Sequence, residues 1–295
     1  MKPAPFQYYD PATLHEALDL LRQHGDEAKL LAGGQSLVPM LNMRLARPAI
    51  LIDLNRVEGL AYVREEGGML AVGAMTRHAD IERSGLVARR QPLLAEAIRH
   101  VGHMQIRNRG TIGGSLVHAD PSAELPAVML ALDAFFCLAA PGGGRREVAA
   151  ADFFLMYFTT CLRPDEVLTE IRVPVLAPRT GWAFEELARR SGDFALAGVA
   201  CTLTLDENRD VIESVRLGLT GVGMTPVRAI AAEALLAGQL PLPEWFAAAG
   251  EAVAAGVQPD ADIHASAEYR RELARVLTER ALRRALARAW EGGPS

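Results

Sequence analysis

Two short stretches of this chain carry residues that could hold an anionic ligand. One is Lys29-Leu30-Leu31-Ala32-Gly33-Gly34-Gln35-Ser36-Leu37, and the other is Arg107-Asn108-Arg109-Gly110-Thr111-Ile112-Gly113-Gly114-Ser115-Leu116. In each, a glycine pair stands beside small hydroxyl residues and ahead of a helical spacing of apolar side chains. Such a pair lets the backbone turn through conformations that a side chain forbids, and it leaves amide groups uncovered. Either pair alone reads as an ordinary strand-to-helix turn. Two of the same kind suit a ligand with two phosphates held from two sides, with backbone amides and the hydroxyls of Ser36, Thr111 and Ser115 as donors. Neither stretch has the Gly-x-Gly-x-x-Gly spacing, so a dinucleotide here would be held outside the Rossmann class.

Other reactive residue types are more sparsely placed. Asp120 and Glu124 follow the second turn closely enough to reach the same ligand. Each could accept hydrogen bonds from sugar hydroxyls or serve as an acid at a helix start, where the dipole favours it. His100 with His103, and His118 with Asp120, are spaced as metal pairs but have no third ligand nearby, so structural roles are expected. Cys137, Cys161 and Cys201 are far apart within or near apolar runs, which reads as buried free thiols rather than a cluster-ligand set or a disulfide framework. No Gly-x-Ser-x-Gly occurs, so hydrolase chemistry has no support.

The elements that must position these residues follow from the apolar periodicity. Thr13 to Glu16 has the form of a capping box, opening a helix through Leu14, Ala17, Leu18 and Leu21 that should stop at Gly25. The strand around Leu30 and Leu31, a helix from Val38 to Leu45, and a strand over 49–54 make a small parallel α/β unit over about 1–55. From Leu60 the pattern becomes a hairpin, 61–64 with 69–72, followed by helices over 76–82 and 92–101. A long apolar helix pattern follows the second turn, with Leu125, Val128, Met129 and Leu132 along one side. Strands over 134–139 and 167–173 complete a mixed or antiparallel sheet with helices over 56–175. Pro141-Gly142-Gly143-Gly144 reads as a hairpin turn, since no helix follows at once. Residues 174–181 read as a linker. Beyond it, strands over 194–205 and 211–219, joined at Asn208, precede an Ala-rich helical stretch to the end. The fold class is therefore α+β, in a two-part domain over 1–175 and a smaller α+β domain over 176–295. The Arg-rich last helix, Glu268 to Trp290, alternates with acids and has an apolar side, so it is expected to be solvated or partner-facing.

The 295 residues suffice for two or three compact units, and half of them are hydrophobic. A net charge of −5 and a pI near 5.9 give no overall attraction to nucleic acid or an acidic membrane surface. The start at Met1 lacks a signal-peptide core, and no uninterrupted apolar run of membrane-spanning length occurs, so a cytoplasmic protein is expected.

The paired turns, with His118-Ala119-Asp120-Pro121-Ser122-Ala123-Glu124-Leu125-Pro126, Asp165 to Ile171 and Tyr269-Arg270, resemble the FAD-binding medium subunit of the molybdenum hydroxylases, the carbon monoxide dehydrogenase and xanthine dehydrogenase group. The match runs from end to end. It implies a two-part FAD-binding domain followed by the C-terminal α+β domain. It further implies FAD held by Leu30, Leu31, Ala32, Gly33, Gly34, Gln35, Ser36, Leu37, Thr111, Gly113, Gly114 and Ser115, with Asp120 and Glu124 near them. Val101 and Leu168 occupy positions where relatives set apolar side chains against the flavin; on sequence alone both are core residues. Glu186 departs from the resemblance, because many relatives carry a lysine in that stretch and a carboxylate would disfavour a reduced anionic flavin. No catalytic base-and-nucleophile set is implied. The expected partners are a large molybdenum-cofactor subunit and a small subunit with [2Fe–2S] clusters, in a hetero-oligomer such as a dimer of heterotrimers, with an external electron acceptor. A free-standing FAD oxidase or dehydrogenase, or a nucleotide-binding module without redox chemistry, are the alternatives.

Overall fold

The computed structural model of the chain describes residues 2–291. Met1, on which part of the signal-peptide reading falls, and residues 292–295, the end of the expected helical tail, lie outside the described residues.

The first unit runs β1 (Gln7–Tyr9), α1 (Leu14–His24), β2 (Ala28–Leu31), α2 (Leu37–Asn42), β3 (Ile50–Asp53). Thr13 caps α1 by accepting from the Glu16 amide while the Glu16 carboxylate accepts from the Thr13 amide. The helix buries Ala17, Leu18 and Leu21 and ends at Gly25, whose φ of 50° a side chain would resist. Strand β3 lies between β1 and β2 and is parallel to both. The chain thus leaves β2 and β3 at the same edge of the sheet, the carboxyl edge where parallel α/β units receive ligands.

The second unit runs β4 (Val63–Glu66), β5 (Met69–Gly73), α3 (His78–Arg83), α4 (Gly85–Arg90), α5 (Pro92–Ala97), α6 (Met104–Arg107), α7 (Ile112–His118), α8 (Glu124–Ala131), β6 (Phe135–Ala139), β7 (Arg145–Ala149), α9 (Ala150–Phe153), β8 (Phe154–Met156), β9 (Thr159–Thr160) and β10 (Val167–Pro174). Its five-stranded sheet has the order β4-β5-β10-β6-β7 and is antiparallel throughout. The triple glycine forms the β6–β7 turn. The long helix expected after the second glycine turn is instead two helices. Ala119 adopts a left-handed conformation, φ 51°, and breaks α7 from α8. Nor is α8 one-sided, since every residue of it is buried.

The third unit holds β11 (Thr180–Ala188), β12 (Ala195–Leu205), β13 (Ile212–Thr220), β14 (Val227–Arg228), α10 (Ile230–Leu236), α11 (Pro243–Gly256) and α12 (Ala267–Glu291). The four strands form one antiparallel sheet in sequence order. Helix α12 is neither solvated nor free for a partner along its apolar side. Leu277, Leu282, Ala285 and Leu286 pack into the core with strand residues such as Val199 and Leu203. Its arginines are largely spoken for as well: Arg270 is buried and donates to the Leu196 carbonyl and to Asp262, and Arg275 pairs with Glu272 and Glu279.

Candidate functional site: two facing glycine turns

The first turn follows the last residue of β2 and ends where α2 begins. Gly34 has a φ of 72°, and Gln35 folds back so that its Nε2 donates to the Gly33 carbonyl at 3.1 Å. The amides of Gly34, Gln35, Ser36 and Leu37 have no acceptor among the described residues. The Ser36 hydroxyl does not cap α2. Four unpaired donors and a free hydroxyl in one turn are what an anion requires.

The second turn behaves differently. Thr111 caps α7 by accepting from the Gly114 amide at 3.2 Å. The Ile112 and Gly113 amides donate to the carbonyls of Thr76 and Ala74, and that of Ser115 donates to Thr111. Backbone donors without a protein acceptor thus stand in the first turn, whereas those of residues 112–115 in the second are used within the chain. What the second turn supplies is closeness. A Cβ on Gly113 would lie 2.6 Å from the Ala74 Cβ, and one on Gly114 2.7 Å from the Thr111 Oγ1.

The two turns touch. A Cβ on Gly33 would lie 2.4 Å from the Arg109 carbonyl oxygen and 2.7 Å from the Gly110 Cα, while one on Gly114 would lie 3.5 Å from the Ala32 methyl. Neither pattern nor spacing in the sequence could reveal that contact. It assembles the free amides of one loop against the small residues of the other, leaving no side chain between them.

A second group of the expected residues gathers around His100. The His100 Nδ1 lies 3.1 Å from the Glu186 Oε1 on β11, and its ring meets Phe184 edge-on. That hydrogen bond raises the His100 pKa against the opposing effect of burial. Glu186 is thus no isolated carboxylate, although its Oε2 is buried without a partner among the described residues. Glu124 opens α8 and is 4% exposed. Burial pushes its carboxyl up to about 8, with the Glu186 charge adding to the effect, while its own amide and His100 oppose it. Val101 is buried next to His100 in sequence. Arg107 ties that loop to α6 and so to the second turn, donating to the Gly102 carbonyl at 3.0 Å and pairing with Glu82. Leu168 is buried in β10 as part of the second unit's core. Asp120 accepts from the Ser122 amide and so shapes the α7–α8 connection. Leu30 and Leu31 are half-buried in β2.

The histidine pairs do not converge as ligands. His103 packs on the Gly192 turn, and His118 lies on Phe158. Among the described residues no three His, Cys, Asp or Glu side chains stand as a metal set. His78 escaped the sequence reading. It is buried beneath Gly110, neither ring nitrogen has a partner within hydrogen-bond geometry among the described residues, and burial, only partly opposed by the nearby Thr111 backbone, pulls its pKa down to about 4. No helix of the described residues is long and apolar enough to cross a membrane.

The fold and the paired turns set the unpaired amides of residues 34–37 against small residues, with no Rossmann fingerprint. Comparison with known proteins gives the family. Residues 4–176 match the FAD binding domain in molybdopterin dehydrogenase, and residues 182–285 match the CO dehydrogenase flavoprotein C-terminal domain. The chain is 43% identical to the 6-hydroxypseudooxynicotine dehydrogenase complex subunit alpha of Paenarthrobacter nicotinovorans, covering 98% of this chain and 97% of that one. It is 42% identical to the carbon monoxide dehydrogenase medium chain of Hydrogenophaga pseudoflava, over 98% and 99%. A solved carbon monoxide dehydrogenase structure from the same organism superimposes with a TM-score of 0.95 at 44% identity, over 98% of this chain and 99% of that one. Quinoline 2-oxidoreductase from Pseudomonas putida 86 gives 0.92 at 38% identity, over 98% and 99%. The chain belongs to the FAD-binding medium subunits of the molybdopterin dehydrogenases, and it is an oxidoreductase subunit.

Proposed function

We propose that this chain is the electron-transfer subunit of a molybdenum hydroxylase, working with a large molybdenum-cofactor subunit and a small iron–sulfur subunit. Bound FAD would supply the redox chemistry that links the [2Fe–2S] clusters of the small subunit to an external acceptor. The chain's own residues bind and shield. The amides of residues 34–37 and the hydroxyls of Ser36 and Ser115 hold the diphosphate, while Gly33, Gly113 and Gly114 permit the approach. Leu30, Leu31, Ala32 and Thr111 shape the turns, and Asp120 and Glu124 stand toward the sugar and ring portions. Val101, Leu168 and Glu186 line the flavin side. The boundary between the FAD-binding part and the C-terminal part is placed at 175/176. The chain works in the cytoplasm.

The observation that carries this reading is the contact of the two glycine turns, with four unpaired amides on one side and no side chain between. The test uses the purified full-length chain, its FAD reduced by dithionite and reoxidised. Kept anaerobic with aldehydes, purines, N-heterocycles or carbon monoxide, the oxidised flavin should stay yellow until the two partner subunits are added. Bleaching by any of these compounds with this chain alone would favour a free-standing flavoenzyme. A colourless, folded chain that takes up no flavin would favour a nucleotide-binding module.

A further inference from the structure

The two turns are joined by a polar strut as well as by contact. Asn55, just past β3, donates from its Nδ2 to the Ala32 carbonyl of the first turn at 2.9 Å. Its Oδ1 accepts from the Nη2 of Arg77. The Nη1 of the same guanidinium donates to the Arg109 carbonyl at the second turn. The line of bonds therefore runs from Ala32 through Asn55 and Arg77 to Arg109. It begins in the parallel unit and ends in the second unit. Asn55 is itself held at the root of the strut, where Asp53 accepts from its backbone amide at 2.9 Å and from the Tyr8 hydroxyl at 2.6 Å.

We infer that Asn55 and Arg77 are positioning residues that set the separation of the two glycine turns and so the affinity for the FAD diphosphate. This rests on the reading of the two turns as the diphosphate site. Three features support a strut rather than a surface ion pair. Both of its ends are backbone carbonyls of the turns themselves, so any shift of the side chains moves the loops. Among the described residues Arg77 has no carboxylate partner in a bond, and the residue is only half-exposed, as expected of a planar fork used to bridge two acceptors rather than to neutralise a charge. The bond to Ala32 also falls on the residue whose methyl faces Gly114. A lysine could keep the charge at position 77 but could not span both acceptors.

The experiment measures FAD affinity of the full chain by flavin fluorescence for the native protein and for Asn55→Leu, Arg77→Met, Arg77→Lys and the Asn55→Leu/Arg77→Met pair, with apo-protein Tm beside each. Each single change should weaken FAD binding about tenfold, the loss of one bond's worth of organisation. The double change should weaken it no further, because the strut is one unit. Arg77→Lys should be as weak as Arg77→Met, and the apo Tm should hold. Rescue by lysine would show that charge, not bridging, matters, and would overturn the inference. Additive losses, or an apo Tm that falls in step with affinity, would overturn it too. Should the Leu and Met variants not fold, Asn55→Asp decides. It keeps an acceptor for Arg77 but loses the donor to Ala32, so it should lose affinity as Asn55→Leu would; native-like affinity would overturn the strut. Native protein that retains no FAD would instead refute the site, whereas native retention with unchanged variants would refute the strut alone.

Discussion

The imidazole Nδ1 of His100 and the carboxylate Oε1 of Glu186 stand 3.1 Å apart, joining the loop beside Val101 to strand β11. This contact alters what Glu186 means. A carboxylate in place of a lysine would oppose negative charge on a nearby ligand, but here it faces an imidazole whose pKa it raises, so at and below the titration of that ring the two compensate. A histidine raised in the folded state contributes stability that is full below its ordinary value of 6.5 and lost as pH rises through the folded value. Glu186→Gln should lower the His100 titration followed by NMR. An unchanged titration would mean that the pair does not form in solution.

Flavin retention should follow the contact between the turns. Gly34→Asp sets a side chain and a negative charge among the free amides, and Gly114→Asp forces an atom to 2.7 Å from the Thr111 Oγ1. Both should abolish FAD retention. Gly143→Asp, at the open β6–β7 turn with nothing within 4 Å, should spare it. Flavin released by acid precipitation and separated by chromatography measures each, and should be intact FAD.

The local elements were legible in the sequence wherever the signal was local. The Thr13 to Glu16 capping box, the β4–β5 hairpin and the glycine turn after β6 follow from a few neighbouring residues. The break at Ala119 was not, because a non-glycine residue in the left-handed region is held there by tertiary packing that no composition announces. The β11 strand was hidden in the same way. Its residues Trp182 to Glu186 alternate weakly, and pairing with β12 is what makes them a strand. For the site, the glycine pairs were readable as tight turns, but that only the first leaves its amides unpaired was not, and the facing of Gly33 and Arg109 joins residues 76 positions apart that only the fold brings together. His100 and Asn55 were missed as parts of the site for the same reason: their partners, Glu186 and Arg77, lie far along the chain.

Two buried groups should tilt the stability of the apo chain with pH in opposite senses. His78 is depressed to about 4 from an ordinary 6.5, so the unfolded chain binds the proton first and stability falls as pH drops from 6.5 toward 4. Glu124 is raised to about 8 from 4.5, so its contribution is full below 4.5 and is lost as pH rises toward 8. Each slope approaches about 1.4 kcal/mol per pH unit within its window. In urea titrations, His78→Leu should remove the first slope and Glu124→Gln the second. Retention of either slope in its variant would assign it to another group.

Glu96 fastens α5 to the C-terminal unit. Its Oε1 accepts from the Phe184 amide at 3.0 Å and from Arg284 at 2.6 Å, and its Oε2 accepts from Arg288 at 2.6 Å. Glu96→Ala leaves a backbone donor and two cations without this partner, and should cost about 2–3 kcal/mol in chemical denaturation. Glu96→Gln should cost less, because it still accepts from the amide.

Gly218 on β13 packs directly beneath the α8 backbone of the second unit. A Cβ there would lie 2.0 Å from the Ala127 carbonyl oxygen and 3.2 Å from the Ala131 amide nitrogen, so the α8 backbone itself rests on the strand. Backbone cannot rotate aside as a long side chain can. Gly218→Ala must therefore push α8 off the sheet or distort β13, and α8 is buried along its whole length and carries Glu124 at its start. The expected result is a loss of more than about 3 kcal/mol, with weaker FAD retention because Glu124 moves with its helix. Gly238→Ala provides the contrast. Its φ of 80° imposes backbone strain but a Cβ there meets nothing within 4 Å, so it should cost only about 1–2 kcal/mol and leave flavin content unchanged. Equal losses in the two variants, measured by denaturant midpoint and flavin-to-protein ratio, would show that α8 does not bear on β13 as the structure has it.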